Sequence, residues 1–269
     1  MIGAIIGDIV GSRFEGRGNI QKDFEFFTEH NKFTDDTVLT CAIARAILNS
    51  NDDFSNLKNN AILCMQELGN KYINCGYGYM FYNWLRQKNP QPYNSFGNGS
   101  AMRVSAIGYV AKTLKEVKTL SKIVTEVTHN HQEGIKGAEA TSVAIFMALN
   151  GKTKQQIKDY IEKNYYIIPK NEQDVSSTCL EPTCQKTLPK CFYAFFNSNS
   201  FEDAIRKAVS LGGDTDTLGA ITGSIAESFY GVPEEMKEKA LSYLDDDLLK
   251  IVADFMKKHE KKHSKTNIL

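Results

Sequence analysis

Apolar residues recur along this chain at helical spacing, and no run of segments alternates with the period of two that strands require. Val38, Leu39, Ala42, Ile43, Ala46 and Ile47 form one stripe, and Ile135, Ala138, Ser142, Ile145, Phe146 and Leu149 form another. Phe201, Ala204, Ile205, Ala208 and Val209 repeat the pattern, as do Leu248, Leu249, Val252, Phe255 and Met256. Pro233 followed by Glu234 and Glu235 reads as a helix start, because proline fits the first turn and acids favour its positive end. With no βαβ rhythm, the expected fold is all-α. No Gly/Ser/Pro-rich linker divides the chain, so one multi-helix domain is expected over residues 1–260, followed by a polar tail over 261–269.

The 269 residues carry 32 Lys+Arg against 32 Asp+Glu. A net charge of zero gives no basic footprint for duplex nucleic acid. At 42% hydrophobic and 24% charged, the composition is that of a folded chain. The apolar start, Met1 to Val10, contains Asp8 and lacks a basic region, so a signal peptide is not expected. No apolar stretch approaches the roughly 20 residues that span a bilayer. Cys179, Cys184 and Cys191 lack the spacing and the local histidines of a zinc site, and Cys41 and Cys64 sit at helical spacing among apolar residues. These features point to a reduced, cytoplasmic protein, expected to be a monomer. The least regular stretch, Tyr165 to Pro189, is long for a loop and reads as a functional excursion or a short helix.

Two segments depart from ordinary helix chemistry. Thr34-Asp35-Asp36-Thr37 and Asp214-Thr215-Asp216-Thr217 each stand directly before an apolar helical run. Capping of the first turn accounts for one acid or hydroxyl per site. It leaves a second acid unexplained, since close carboxylates repel unless a cation or proton lies between them. Carboxylates beside threonine hydroxyls are hard oxygen donors, suited to Mg²⁺ or Ca²⁺. The segments lie in opposite halves of the chain, so only the fold can join them, and on spacing alone capping and a shared cation site both stay open.

Three further segments carry signals. Gly3, Gly7 and Gly11 fall on one face of an N-terminal helix read as continuing to Glu15, which lets another backbone approach; Asp8 and Glu15 would share a face of it and could look into one cleft. Asn94 to Ser100 (Asn-Ser-Phe-Gly-Asn-Gly-Ser) precedes an apolar helix and offers free N–H groups to an anion, or else is a tight loop with positive φ at Gly97 and Gly99. In Thr128-His129-Asn130-His131, helix capping suits His131, whereas His129 could donate to a sugar hydroxyl or a carbonyl.

Taken in order, the glycine-spaced N-terminal helix, Thr-Asp-Asp-Thr, Ser-x-Gly-Asn-Gly-Ser-Ala-Met-Arg, Thr-His and Gly-Gly-Asp-Thr-Asp-Thr-x-Gly-Ala resemble the ADP-ribosylglycohydrolase family from Gly3 to about Tyr230. The resemblance implies an all-α fold around a cleft with two Mg²⁺ ions, or Mn²⁺ in some members. By the same resemblance, Thr34, Asp35 and Asp36 would ligate from one side and Asp214, Asp216 and Thr217 from the other, with Glu15 beside the metals. Ser95, Phe96, Gly97 and Asn98, continued by Gly99 and Ser100, would hold the diphosphate, with Phe96 towards the adenosine. His129 would line the distal ribose.

The implied reaction is hydrolysis of the glycosidic bond between ADP-ribose and an acceptor such as an arginine or serine side chain. Asp36 and Glu15 are the expected acid/base residues. Alternatives are hydrolysis of O-acetyl-ADP-ribose or of ADP-ribosylated nucleic acid, and a non-catalytic ADP-ribose-binding homologue.

Overall fold

The computed structural model describes residues 1–18, 20–176 and 179–259. Among them are fourteen α-helices and no named strand. In chain order they are α1 (Ile2–Gly11), α2 (Asp35–Leu48), α3 (Leu57–Lys71), α4 (Tyr79–Trp84), α5 (Gly99–Met102), α6 (Ser105–Val110) and α7 (Leu114–Thr125). They continue with α8 (Gln132–Leu149), α9 (Lys154–Asn164), α10 (Cys184–Phe196), α11 (Phe201–Ser210), α12 (Thr215–Tyr230), α13 (Glu234–Leu241) and α14 (Asp246–His259). The four apolar stripes fall in α2, α8, α11 and α14, and their buried residues join one hydrophobic core. Side-chain caps begin several helices: Thr113 before α7, Ser200 before α11, and Thr153 before α9, where Gln156 completes a capping box. Among the described residues, no helix is long and apolar enough to cross a membrane.

α1 is buried on every side, as a helix apolar all round must be. Its main partner is α12, and glycine makes their contact possible. A Cβ on Gly7 would lie 1.9 Å from the carbonyl oxygen of Gly219, and one on Gly219 would lie 2.2 Å from that of Gly7. Gly3 and Gly223 repeat the relation, and a Cβ on Gly11 would meet the Thr215 carbonyl at 2.2 Å. The Thr215 hydroxyl donates to the Gly11 carbonyl at 2.9 Å, closing that end of the pair. At the other end Glu227 on α12 accepts from the Met1 amine (2.7 Å) and the Gly3 N–H (2.8 Å), satisfying donors that a helix start leaves unpaired.

Two expectations are corrected. α1 stops at Gly11 and a 3₁₀ turn follows over Ser12–Phe14, so Glu15 lies outside the helix and shares no helical face with Asp8. Among the described residues, the excursion from Tyr165 is an irregular run with one 3₁₀ turn, Glu172–Asp174, but Pro189 lies inside α10 rather than in a loop. The tail over 261–269 lies outside the described residues.

The α1–α12 contact leaves no room for a methyl group. Gly7→Ala is expected to destabilise the protein by at least the roughly 1–3 kcal/mol typical of overpacking. Urea denaturation followed by circular dichroism checks this, and an unchanged midpoint contradicts the contact.

Candidate active site

Asp8 organises the first acidic segment without joining the cleft. It is fully buried on α1 and accepts the N–H groups of Thr34 (2.9 Å) and Thr37 (3.0 Å). Both threonine hydroxyls also donate to it, that of Thr34 at 2.7 Å. Burial holds its carboxyl above the ordinary range despite these four bonds. Thr34 is the N-cap of α2, its hydroxyl accepting the Asp36 N–H at 3.3 Å. The capping reading therefore accounts for Thr34, and Asp8 accounts for Thr37. Asp35 and Asp36 are left to face elsewhere.

They face a cleft of about 430 Å³, whose wall also carries Glu15, Asp214, Asp216 and Thr217. The second acidic segment reaches this point through backbone geometry. Gly212 and Gly213 adopt φ of +75° and +83°, a region side chains disfavour, and so turn the chain into α12. The Gly16 N–H donates to the Gly213 carbonyl (2.8 Å), and the Gly213 N–H to that of Arg17 (2.9 Å), which ties the Glu15 turn to the Asp214 loop. Asp214 is the N-cap of α12 but makes no side-chain cap; its carboxylate instead accepts the Asn98 amide at 2.6 Å. Capping thus fails to explain Asp214.

Five carboxylates share this wall. Oxygens of Glu15, Asp214 and Asp216 lie within 4.8 Å of one another, a group that could hold a metal ion. Asp36 accepts the Thr217 hydroxyl at 3.2 Å through one oxygen, while its other oxygen is buried with no partner. A buried, unpartnered carboxylate oxygen beside other acids fits a hard cation. Burial, then Asp216, raises the Asp36 carboxyl well above the usual range, and burial, then Asp214, does the same for Asp216. Asp35 is pushed up to about 8 by burial and the charges of Asp8 and Asp214. Glu15 is raised by burial and Asp214.

The glycine loop forms the neighbouring wall. Ser95, Gly97, Asn98, Gly99 and His129 line the cleft. Gly97 and Gly99 do not have positive φ; Asn94 does, at +54°. Both stand beside His129, since a Cβ on either would lie 3.5 Å from its Nε2, in ordinary van der Waals contact. The irregular run before α10 braces this loop: the Asn98 N–H donates to the Pro182 carbonyl (3.1 Å) and the Cys184 N–H to that of Phe96 (3.0 Å). Leu180 and Pro182 consequently reach the cleft. His131 caps α8, its Nδ1 accepting the Glu133 N–H at 3.1 Å.

Three expected residues are not on the cleft wall. Thr34 is turned to Asp8, and Ser100 is buried with its hydroxyl within 3.0 Å of the Gly97 and Gly134 carbonyls. Phe96 is 44% exposed, with its ring against His131. Conversely, Tyr79, Met80 and Tyr93 line the cleft although sequence patterning gave no reason to single them out, and Arg103, the last residue of the Gly-Asn-Gly-Ser-Ala-Met-Arg motif, lines it without having been assigned a role.

A model of the ADP-ribosylglycohydrolase family matches residues 1–265. The chain belongs to this family. The ADP-ribosylhydrolase ARH3 of Bos taurus is 25% identical to it, over 93% of this chain and 89% of its own length. The ADP-ribosylarginine hydrolase Tri1 of Pseudomonas putida (strain GB-1) is 25% identical, over 89% of this chain and 72% of its own. A solved structure described as an ADP-ribosylglycohydrolase-related protein complex superposes with a TM-score of 0.70 at 21% identity, covering 95% of this chain and 96% of that one, and so shares the fold. As a member of the family, this glycohydrolase is an enzyme of glycosidic-bond hydrolysis.

The raised acids make its stability depend on pH. A carboxyl held above its unfolded value binds more protons in the folded state, so stability is lost as pH rises from about 4 through the raised values. In chelator, the urea midpoint is expected to fall between pH 5 and pH 8, the upper end of the window set by Asp35. Asp36→Asn should raise the midpoint at pH 8, and a divalent cation should flatten the wild-type dependence. A midpoint that rises over this window contradicts the crowding of acids.

Proposed function

We propose that this glycohydrolase cleaves the glycosidic bond between ADP-ribose and an acceptor, with arginine and serine side chains as candidate acceptors, and releases ADP-ribose with the help of Mg²⁺ or Mn²⁺. The observation that carries the reading is the buried, unpartnered oxygen of Asp36 in a cleft walled by five carboxylates on one side and the glycine loop on the other. Carboxylate and hydroxyl oxygens fit a hard divalent cation. Asp35 and Asp36 from one side, and Asp214, Asp216 and Thr217 from the other, would hold two such ions, with Thr34 kept to bracing Asp8. Bound there, divalent ions would offset the crowded negative charge and act as Lewis acids towards sugar hydroxyls and water.

The residues of the chain divide the remaining work. Ser95, Gly97 and Asn98, which line the cleft beside the acids, hold the diphosphate. The exposed ring of Phe96 offers a flat apolar surface to the adenosine part. In the bond-breaking step a water oxygen joins the anomeric carbon as its bond to the acceptor atom breaks. One proton leaves the water and one reaches the acceptor. Glu15, the most exposed acid of the cluster, carries this proton traffic, with Asp36 as the second candidate. Support for a conjugate of ADP-ribose, rather than another glycoside, comes from the family and from relatives named as ADP-ribosylhydrolases.

The test incubates the protein with Arg- and Ser-ADP-ribosylated peptides, in Mg²⁺ or in chelator, and measures free ADP-ribose. Release in Mg²⁺ only is expected, and Asp36→Ala and Asp216→Ala should lower it by about 100-fold or more while leaving helical circular dichroism intact. Ser95→Ala should raise KM more than it lowers kcat, because the diphosphate is remote from the broken bond. Undiminished turnover in either aspartate variant, or full activity in chelator, overturns the metal reading. Release from neither peptide but from O-acetyl-ADP-ribose moves the assignment to small conjugates.

A further inference from the structure

Arg103 is fully buried on the cleft wall, yet no carboxylate stands against it. Among the described residues it makes no ion pair, and the groups that bear on its charge are Tyr93 and Cys184. Its Nε and Nη1 have no partner. A buried guanidinium without a counter-charge is costly, so a position next to the substrate region calls for a reason.

Its one short bond supplies that reason. Arg103 Nη2 donates to the Thr128 hydroxyl at 2.7 Å, and that hydroxyl lies 2.8 Å from His129 Nδ1. The Thr128 oxygen accepts from the guanidinium, which leaves its single proton to be given away. The carbonyl of Thr125 is a poor recipient: it lies 3.4 Å away and already accepts the N–H groups of Thr128 and His129. Burial pushes the Tyr93 phenol beside the same hydroxyl up to about 12, so it stays protonated and can donate its own O–H to the second lone pair of the Thr128 oxygen. His129 Nδ1 is therefore the natural acceptor, and a hydroxyl polarised by a cation is the stronger donor to it. A proton on Nδ1 would instead point towards a group already bound to positive charge. Burial, then Arg103, also holds the imidazole well below its ordinary pKa, so the ring is neutral. With Nδ1 accepting, Nε2 carries the proton, and Nε2 is the atom that stands over Gly97 and Gly99.

We propose that Arg103 and Thr128 are positioning residues that hold His129 in its Nε2–H tautomer, giving the cleft a neutral, fixed donor for an oxygen of the substrate. The substrate part rests on the proposed function; the tautomer part does not. A neutral donor suits a cleft whose other wall is acidic, since a charged imidazolium would be drawn to those carboxylates.

The experiment records long-range ¹H–¹⁵N correlations of the histidine rings in the full ¹⁵N-labelled chain, with His129 assigned by its loss in His129→Asn. The expected spectrum shows Nε2 protonated and Nδ1 accepting throughout pH 6–8. Thr128→Val, which keeps the shape and removes the hydroxyl, should give mixed tautomers and weaken ADP-ribose binding about tenfold by calorimetry. Thr128→Ser should restore both. A wild-type Nδ1–H ring, a charged ring, or a folded Thr128→Val variant with the wild-type tautomer overturns the inference. If Thr128→Val fails to fold, the wild-type and Thr128→Ser spectra decide it. Absence of ADP-ribose binding by the wild type would count against the proposed function, while the tautomer still decides the relay.

Discussion

Helices α1 and α12 approach until their backbones touch, through Gly3, Gly7 and Gly11 on one and Gly219 and Gly223 on the other. Everything at the cleft hangs from this contact. At one end of α1, Gly11 receives the Thr215 hydroxyl, which sets the start of α12 and with it Asp214 and Asp216. In the middle of α1, Asp8 gathers the N–H and hydroxyl groups of Thr34 and Thr37, which sets the start of α2 and with it Asp35 and Asp36. Beyond its end, the turn to Glu15 is pinned to Gly213 by two backbone bonds. One buried helix without a cleft residue of its own thus brings together five acids drawn from three parts of the sequence.

That convergence works against stability. Glu15, Asp35, Asp36 and Asp216 arrive with their charged forms disfavoured by burial and by neighbouring acids, and a divalent cation is the natural relief. The opposite chemical problem sits on the same cleft in Arg103, a buried cation without a counter-charge. The chain's net charge of zero conceals both. Strained electrostatics of this kind cluster where chemistry is done, and a rigid core made by α1, α12 and their neighbours is what can hold them.

The helical architecture was readable because the apolar stripes of α2, α8, α11 and α14 have the helical period. The two acidic segments were readable because each holds more oxygen donors than a helix cap needs. Which donor does what was not readable. Nothing in the spacing of Asp8 distinguishes an anchor for α2 from a cleft residue, since the decision is made by packing against Thr34 and Thr37. Gly97 and Gly99 looked like turn glycines, yet the left-handed residue of the loop is Asn94. Arg103 closed the Gly-Asn-Gly-Ser-Ala-Met-Arg motif, but nothing in the motif marked it as buried. Its guanidinium is held by Val124 of α7 and by Thr128 beyond it, a long-range fact that local sequence does not carry. Pro189 marked a break by its type, but α10 accommodates it.

The central claim is that two distant segments form one cation site because α1 holds them together. Mn²⁺ binding measured by electron paramagnetic resonance, on the wild type, Asp36→Ala and Asp216→Ala, addresses it directly. The account predicts Mn²⁺ binding by the wild type and marked loss in both variants, because each removes one half of a shared site. Wild-type Mn²⁺ binding that survives unchanged in either variant would contradict it.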